Sequence, residues 1–325
     1  MRIKGKSDGY VVEYPKALEY EERQQDISWT AKEIAVEDDI NDLRVNATPA
    51  ERHGILEVLK LFVQYELIAG GEYWGGRFQK MYPRVEFQRL GAQFSQTELC
   101  VHAPFYNKIN EVLHLNTPDF YNSWKKDETL KERMKFIDKY VTSKKFDGLL
   151  SLAVFSLVEG AILYSSFGFL KSFKKQGKNL IPQVVSGINF SVRDENLHSE
   201  AGAWVFRETC KEIHMLPSQH SSDKWHELEV EVLKAAQVLF EHEKLIIKKI
   251  FSEGEIEGIT QDYLEKFVQH RIDVCLSQLN MKPLYNCVED FSWFYDDVAG
   301  AKATDHFVTL SSNYSRHWKE GELSW

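Results

Sequence analysis

Apolar side chains recur at intervals of three and four residues along five long stretches of this 325-residue chain. This spacing gathers them on one face of an α-helix, whereas the alternation typical of strands is short and scattered. The pattern therefore predicts an all-α bundle with helices of about 20 residues or more, and a mixed α/β fold is the poor alternative. The predicted helical stretches are residues 48–70, 88–115, 147–173, 181–213 and 224–251.

The first predicted helix carries the clearest end signals. Thr48 and Pro49 open it, and Glu51 follows Thr48 by three residues, the order of a capping box in which each side chain bonds the other residue's backbone N–H. Two glycines, Gly70 and Gly71, follow the last apolar residues. The sequence therefore predicts a helix that begins at Thr48 and Pro49 and ends near these glycines.

Charge and composition narrow the class of protein. The 49 acidic residues outnumber the 40 basic ones and give a net charge of -9, which argues against nucleic acid or an anionic membrane as the main partner. No run of about 18 uncharged apolar residues is found, and the first residues lack the apolar middle of a signal peptide, so we expect a cytoplasmic protein. The widely spaced Cys100, Cys210, Cys275 and Cys287 form no CxxC pair and are expected to be free thiols.

Acidic and histidine side chains interrupt the apolar helices at six positions. Glu159 is the single charge in the nearly apolar stretch 152–169, where a buried carboxylate is costly unless it is paired, protonated or bound to a metal. Glu66 is a second acid of this kind, and two acid-histidine pairs share a helix face in other stretches. The full set is Glu66, Glu98, His102, Glu159, Glu195 and His198.

This set of four carboxylates and two imidazoles suits a pair of iron or manganese ions. A dinuclear carboxylate site in a four-helix bundle takes one Glu from each of two helices and a Glu-x-x-His pair from each of the other two. Structural zinc sites would instead favour thiolates. Each position alone also allows an ordinary structural role, for example Glu66 as a polar residue at a helix end, so the hypothesis rests on the set.

Other acids and histidines are expected to have no role. Glu72 is a rival to Glu66, but it follows two glycines and lies about 240° around the helix from it. His242 lies between Glu241 and Glu243, which indicates a solvated helix face. Three more histidines, His214, His220 and His226, lie near a loop-like segment.

Several motifs accompany the six candidate ligands. Glu159 in its apolar helix is followed by an aromatic and serine segment with Tyr164, Ser166 and Phe167, and then by RDENLH at residues 193–198; the first half has SWT at 28–30, Glu66 and HAPFY at 102–106. Together these motifs resemble the small, radical-generating subunit of class I ribonucleotide reductase, and the resemblance covers most of the chain. It implies a ferritin-like helical bundle with a dinuclear metal site between four core helices.

The resemblance also implies roles for individual residues. Glu66, Glu98 and His102 would bind one metal region and Glu159, Glu195 and His198 the other, with some carboxylates bridging. Tyr106 would carry the stable radical, Phe105 and Phe167 would shield it, and Trp29 with Asp194 would relay the oxidising equivalent. One departure is the spacing of Glu98 and His102, which is four residues rather than three, with Leu99 in the family's slot and Pro104 disturbing the helix. A π-bulge could absorb the extra residue.

The implied function is that of the small subunit of ribonucleoside-diphosphate reductase. Two iron ions, two manganese ions or one of each, activated with O₂ or an oxidant derived from it, would generate a tyrosyl radical that passes to the large catalytic subunit. Residues 1–310 would form the helical domain of an expected homodimer, and residues 311–325 a flexible tail that docks on the large subunit. Tyr314 would be the relay tyrosine of the tail, with Trp318 or Trp325 as alternatives.

Two other hypotheses remain open from the sequence. Another ferritin-like di-metal oxidase or a ferroxidase would oxidise its metal without a long-lived tyrosyl radical, and a non-catalytic helical interaction protein would bind no metal.

Overall fold

The computed structural model describes residues 2–215, 222–295 and 298 of the chain. This part is built of helices and contains no strand, so the prediction of an all-α, ferritin-like fold is confirmed. The helices are α1 (Pro15–Asp26), α2 (Pro49–Leu67), α3 (Gln79–Met81), α4 (Val85–Thr97), α5 (Ala103–Val112), α6 (Pro118–Tyr121), α7 (Glu128–Val141), α8 (Leu149–Leu157), α9 (Tyr164–Lys171), α10 (Pro182–Glu212), α11 (Ser222–Ile250) and α12 (Gln261–Gln278).

Helix α2 begins as predicted but does not end at the glycines. The Glu51 N–H donates to Thr48 Oγ1 at 3.3 Å and the Thr48 N–H donates to Glu51 Oε2 at 2.7 Å, which completes the capping box. Beyond α2 the chain continues as a π-helical segment, Ile68–Phe78, into α3. The predicted end near Gly70 was wrong because this glycine serves packing: a Cβ there would lie 2.8 Å from the Cβ of Glu98.

Two more helices contain π-helical segments, here called wide turns, beside the candidate ligands. The segment Glu98–His102 between α4 and α5 is π-helical, which confirms the π-bulge expected from the spacing. Pro104 follows in the first turn of α5, where a proline is tolerated. A third segment, Val158–Ile162, contains Glu159 and joins α8 towards α9. The extra residue in each wide turn rotates the following side chains relative to a regular helix.

Four helical units enclose the middle of the core: α2, α4 with α5, α8 with α9, and α10. Helix α8 packs along α10, and α2 packs along α5. The close approach to α10 and α12 requires a glycine at position 160, because a Cβ there would lie 2.5 Å from Ser199 Oγ and 2.3 Å from Cys275 Sγ. Helices α1, α7 and α12 lie outside these units and were not among the predicted stretches.

One helical stretch, Lys145–Lys175, is long and apolar enough to cross a membrane, since its most apolar 18-residue window has a mean hydropathy of 1.8. The stretch includes Asp147 and Glu159, so it is not a run of uncharged apolar residues of the kind that the sequence lacks. Moreover, 83% of its most apolar window is buried inside the protein, against α10, α11 and α12. It is therefore a core helix of the bundle. The cysteines are free thiols as expected, with Cys210 and Cys275 buried.

Candidate metal centre

The six residues selected from the sequence meet in the middle of the bundle, in what we call the ligand cluster. Each of the four helical units contributes to it, and every member is at most 3% exposed. Their ligand atoms form two groups, in each of which all atoms lie within 4.8 Å of one another. One group is Glu66, Glu98, His102 and Glu195, and the other is Glu98, Glu159, Glu195 and His198.

Each histidine directs its Nδ1 atom into one group of carboxylates. His102 Nδ1 lies 2.9 Å from Glu98 Oε2, 3.2 Å from Glu195 Oε1 and 3.7 Å from Glu66 Oε2. His198 Nδ1 lies 2.6 Å from Glu98 Oε1, 3.6 Å from Glu195 Oε2 and 3.8 Å from Glu159 Oε2. Glu98 and Glu195 therefore face both histidines, each with one oxygen towards each ring. Carboxylates placed in this way would both be able to contact each of two ions held beside the histidines.

The outer nitrogen of each histidine has a different partner. His102 Nε2 lies 3.0 Å from Asp194 Oδ2, which also accepts a hydrogen bond of 2.7 Å from the indole N–H of Trp29. His198 Nε2 lies 3.1 Å from the amide oxygen of Gln24. Such outer partners orient a metal-binding imidazole and fix which nitrogen carries its proton. The pairing of Trp29 with Asp194 is thus present, whereas Gln24, on the unpredicted helix α1, was missed.

Trp74 is a second residue that the sequence did not reveal. Its indole N–H donates to Glu159 Oε1 at 2.7 Å, and its ring packs edge-on near the ring of His198. It lies in the wide turn of GGEYWGG, the segment that the sequence assigned to the end of a helix. A buried tryptophan usually finds an acceptor for its N–H, but the sequence does not say which one.

The four carboxylates of the ligand cluster have no basic counter-charge apart from the two histidines among the described residues. Glu66 Oε1 and both carboxylate oxygens of Glu195 accept no hydrogen bond there. Buried carboxylates in this condition are strongly unfavourable without a cation. Two divalent ions would supply as much positive charge as the four carboxylates carry negative charge, and the oxygen and imidazole donors fit iron or manganese.

The crowding of like charges also alters the protonation of the cluster. Burial raises the pKa of Glu66 well above its usual value, and the Glu98 carboxylate raises it further. Burial also raises the pKa of Glu159 well above its usual value, and the Glu195 carboxylate adds to that rise. Burial opposes ionisation of Glu98 too, but the histidines outweigh it and hold the pKa of Glu98 well below normal. A metal ion that binds here must therefore displace protons.

Tyr106 lies one turn after His102, and its phenol group is completely buried. Its hydroxyl makes no hydrogen bond of normal geometry among the described residues, although the Ser191 side chain is near enough to counter part of the rise in its pKa. Burial raises the pKa of this phenol well above its usual value, and the nearby Glu66 adds to the rise. The ring lies 4.5 Å from the ring of Phe62 and 5.1 Å from that of Phe105, measured between centroids. Phe167 packs on Phe62 and so extends the aromatic surroundings of Tyr106 by one more ring.

The residues expected to have no role lie away from the ligand cluster, with one correction. Glu72 and His226 are exposed. The predicted solvated face at His242 was wrong, because the adjacent Glu243 is 1% exposed and forms a salt bridge of 2.6 Å with buried Arg133. The counter-charge Arg133 lies 110 residues away in the sequence, so this pairing across helices was not visible. His220, Tyr314, Trp318, Trp325 and the tail 311–325 lie outside the described residues.

The fold and the ligand cluster define a ferritin-like helical protein with a buried carboxylate and histidine site suited to two metal ions. Residues 8–290 match the family described as "Ribonucleotide reductase, small chain". The chain belongs to this family of oxidoreductase subunits, and the alternative of an unrelated di-metal oxidase or ferroxidase is not favoured.

Individual relatives agree with this assignment. The chain is 23% identical to the probable ribonucleoside-diphosphate reductase small subunit 048L of Invertebrate iridescent virus 3, over 96% of this chain and 85% of the viral protein. It is 26% identical to the ribonucleoside-diphosphate reductase subunit beta of Halalkalibacterium halodurans, over 61% of this chain and 57% of that subunit.

Solved structures show the same fold. A putative class I ribonucleotide reductase from Bacillus halodurans has a TM-score of 0.74 at 21% identity, covering 86% of this chain and 98% of that one. The dimanganese(II)-NrdF of Streptococcus sanguinis has a TM-score of 0.75 at 17% identity, covering 91% and 98%. The Rnr4 homodimer of Saccharomyces cerevisiae has a TM-score of 0.71 at 16% identity, covering 94% and 92%.

Proposed function

We propose that this chain holds two iron or manganese ions and generates a tyrosyl radical for the large catalytic subunit of a ribonucleoside-diphosphate reductase. The ligands would be Glu66, Glu98, His102, Glu159, Glu195 and His198. When bound and treated with O₂ or an oxidant derived from it, the ions would act as the one-electron oxidant of a nearby side chain. The remaining steps depend on residues of this chain.

Tyr106 would lose this electron and carry the radical. Its phenol is buried next to the ligand cluster, and its proton can leave towards Glu66, the carboxylate that influences it most. The surrounding rings of Phe62, Phe105 and Phe167 would keep water and reductants away from the radical.

The observation that carries this proposal is the continuous hydrogen-bonded chain from His102 through Asp194 to Trp29. A site that only oxidises iron has no need of a buried indole joined to a ligand by a carboxylate. The Asp194 carboxylate accepts from the Trp29 N–H and lies beside Nε2 of His102, so it joins the imidazole to the indole, while Trp29 exchanges an electron. This chain would pass the oxidising equivalent reversibly away from the metal centre.

The large subunit would receive it through the end of the chain. We propose residues 1–310 as the helical domain and residues 311–325 as the docking tail, with Tyr314 as the last relay residue. Association of two copies is part of the proposal, supported by the homodimeric yeast relative of similar fold. A cytoplasmic location follows from the same proposed role.

Electron paramagnetic resonance tests this function directly. The metal-free protein is loaded anaerobically with Fe²⁺ or Mn²⁺ and then exposed to O₂ or, in the manganese case, to superoxide as well. We expect a tyrosyl signal that disappears in Tyr106→Phe. Tyr73→Phe is the matched control, because Tyr73 is also a buried tyrosine whose hydroxyl has no partner among the described residues; it should keep the signal. A metal-loaded protein with no tyrosyl signal, or a signal that survives Tyr106→Phe, contradicts the proposal.

A further inference from the structure

A second buried tyrosine, Tyr164, lies on the opposite side of the aromatic layer from Tyr106. It begins α9, five residues after Glu159, and is 0% exposed. Ring contacts connect the two tyrosines, with centroid distances of 4.5 Å from Tyr106 to Phe62, 5.9 Å from Phe62 to Phe167 and 5.6 Å from Phe167 to Tyr164. An oxidant formed at the ligand cluster would therefore have Tyr164 as well as Tyr106 within a few ring contacts.

The hydroxyl groups of the two tyrosines have different surroundings. Among the described residues, that of Tyr106 makes no hydrogen bond of normal geometry, and the Glu66 carboxylate and the Ser191 side chain are both near enough to influence it. That of Tyr164 donates to the side-chain oxygen of Asn196 at 2.8 Å. An amide oxygen is a weak base, so Tyr164 has an acceptor for its hydrogen bond but none for its proton.

Arg271 adds a fixed positive charge on the face of the Tyr164 ring. Its guanidinium carbon lies 3.9 Å from the ring centroid, and the side chain is 3% exposed. Four contacts hold it there: Nε donates to the Gly160 carbonyl at 2.9 Å, Nη1 to Tyr295 Oη at 2.9 Å, and Nη2 to Asn196 Oδ1 at 2.8 Å, besides the ring itself. The Asn196 oxygen thus accepts from both the phenol and the guanidinium.

Both features oppose oxidation of Tyr164. Forming a neutral tyrosyl radical removes one electron from the ring and breaks the phenolic O–H bond, so that the proton must pass to a base. The guanidinium attracts the electron-rich ring face, and this attraction weakens when the ring loses an electron. Burial raises the pKa of Tyr164, which Arg271 offsets only in part, so the phenol remains protonated at neutral pH.

We propose that Arg271 and Asn196 are positioning residues that keep Tyr164 reduced and thereby direct the one-electron oxidation to Tyr106. The oxidant is the O₂-activated metal centre, so this inference rests on the proposed function. The electron goes from Tyr106 to that centre, and the proton goes from Tyr106 to a carboxylate of the ligand cluster.

The test asks whether Tyr164 becomes oxidisable when the cation is removed. In metal-loaded full-length protein exposed to O₂, Tyr106→Phe should be free of tyrosyl signal. Combining it with Arg271→Gln should produce a tyrosyl signal that the single variant lacks, and adding Tyr164→Phe should abolish that signal. Arg271→Lys in the Tyr106→Phe background retains a positive charge and should remain silent. Metal content and thermal unfolding of each variant are measured in parallel.

Asn196→Asp provides a second variant that preserves the shape of the network. A carboxylate at this position can accept the phenolic proton, so Tyr106→Phe with Asn196→Asp should also give a signal that depends on Tyr164. The inference is overturned if both combined variants bind metal like the wild type and stay silent, or if the new signal persists after Tyr164→Phe. A Tyr164 radical in the Tyr106→Phe protein with Arg271→Lys also overturns the inference, because that variant retains the positive charge beside the ring. Failure of the proposed function is distinguished by the wild-type protein, which would then show no tyrosyl signal at all.

Discussion

The buried acid Glu243 and the four buried carboxylates of the ligand cluster differ in the charged groups that surround them. Glu243 on α11 lies beside the buried guanidinium of Arg133 on α7, and its second oxygen accepts from the hydroxyl of Ser165. The four carboxylates of the ligand cluster are just as buried, yet their charged neighbours are one another and two histidines. The charge of Glu243 is thus compensated within the chain, whereas the ligand cluster is a carboxylate and histidine set compatible with two metal ions.

This difference separates a structural acid from a metal ligand more clearly than burial does. A buried charge is tolerated when a counter-charge and hydrogen bonds satisfy it, and Glu243 meets this condition. Glu195, with two unsatisfied oxygens, does not. The comparison predicts opposite responses to mutation in the two groups.

The largest effect is expected from removing the internal counter-charge. Arg133→Met leaves Glu243 buried without its partner, so we expect the free energy of unfolding to fall by about 3–5 kcal/mol. Chemical denaturation of the metal-free protein measures this loss. Lys135→Met is the matched control, since Lys135 forms an exposed pair with Glu132 on the same helix and should change nothing measurable. An Arg133→Met protein as stable as the wild type would contradict the description of this pair.

Removing a carboxylate from the ligand cluster should have the opposite effect on the metal-free protein. Glu195→Gln removes one of several repelling charges, so the unfolding midpoint without metal should stay the same or rise. Metal affinity should fall by about 100-fold or more, because Glu195 faces both ion positions. Titration calorimetry and thermal melts check both parts, with the exposed Glu72→Gln as the control that changes neither. A less stable metal-free variant that binds metal normally would reverse the assignment.

The pH dependence of metal binding provides a third comparison. Burial and neighbouring carboxylates raise the pKa of Glu66 and Glu159, and Glu98 raises the pKa of both histidines although burial alone would lower it. Glu66, Glu159 and the two histidines therefore hold protons more tightly in the metal-free cluster than the same groups do in water, and metal ions must displace these protons. Apparent affinity should rise with pH by about tenfold per unit for each proton displaced. Calorimetry in buffers of different ionisation enthalpy counts these protons, and binding without proton release would contradict the account.

The smallest effect concerns the support of a single ligand. Trp74→Phe removes the N–H that bonds Glu159 Oε1 but keeps an aromatic ring in the site. Affinity for the ion on the His198 side should fall about tenfold, the lower end for loss of an outer partner. Trp204→Phe, at a partly buried tryptophan that packs on Tyr20 and Phe87, should leave metal affinity unchanged.

The ligand cluster was predictable because its members break a strong local pattern. An acid such as Glu159 among apolar residues is visible in the sequence, and so is the four-residue spacing of Glu98 and His102, which a π-bulge could absorb. The long helices were predictable for the same reason, since their periodicity is local.

The partners of these residues were not predictable because they depend on contacts between distant segments. Gln24 and Trp74 lie 174 and 85 residues from the side chains they bond, and neither stands out from its neighbours. Glu243 was misjudged because its counter-charge is on another helix, 110 residues away. Gly70 was read as a helix end because a glycine that permits close packing looks the same in a sequence as one that ends a helix.

The most direct test of the central claim is anomalous diffraction from crystals of the protein loaded with iron or manganese. Data collected on both sides of the absorption edge of the metal locate each ion without reference to the protein. The account predicts two peaks between the helices, one beside Nδ1 of His102 and one beside Nδ1 of His198, with Glu98 and Glu195 between them. An absence of peaks from this position in metal-loaded crystals, or ions bound only elsewhere, would contradict it.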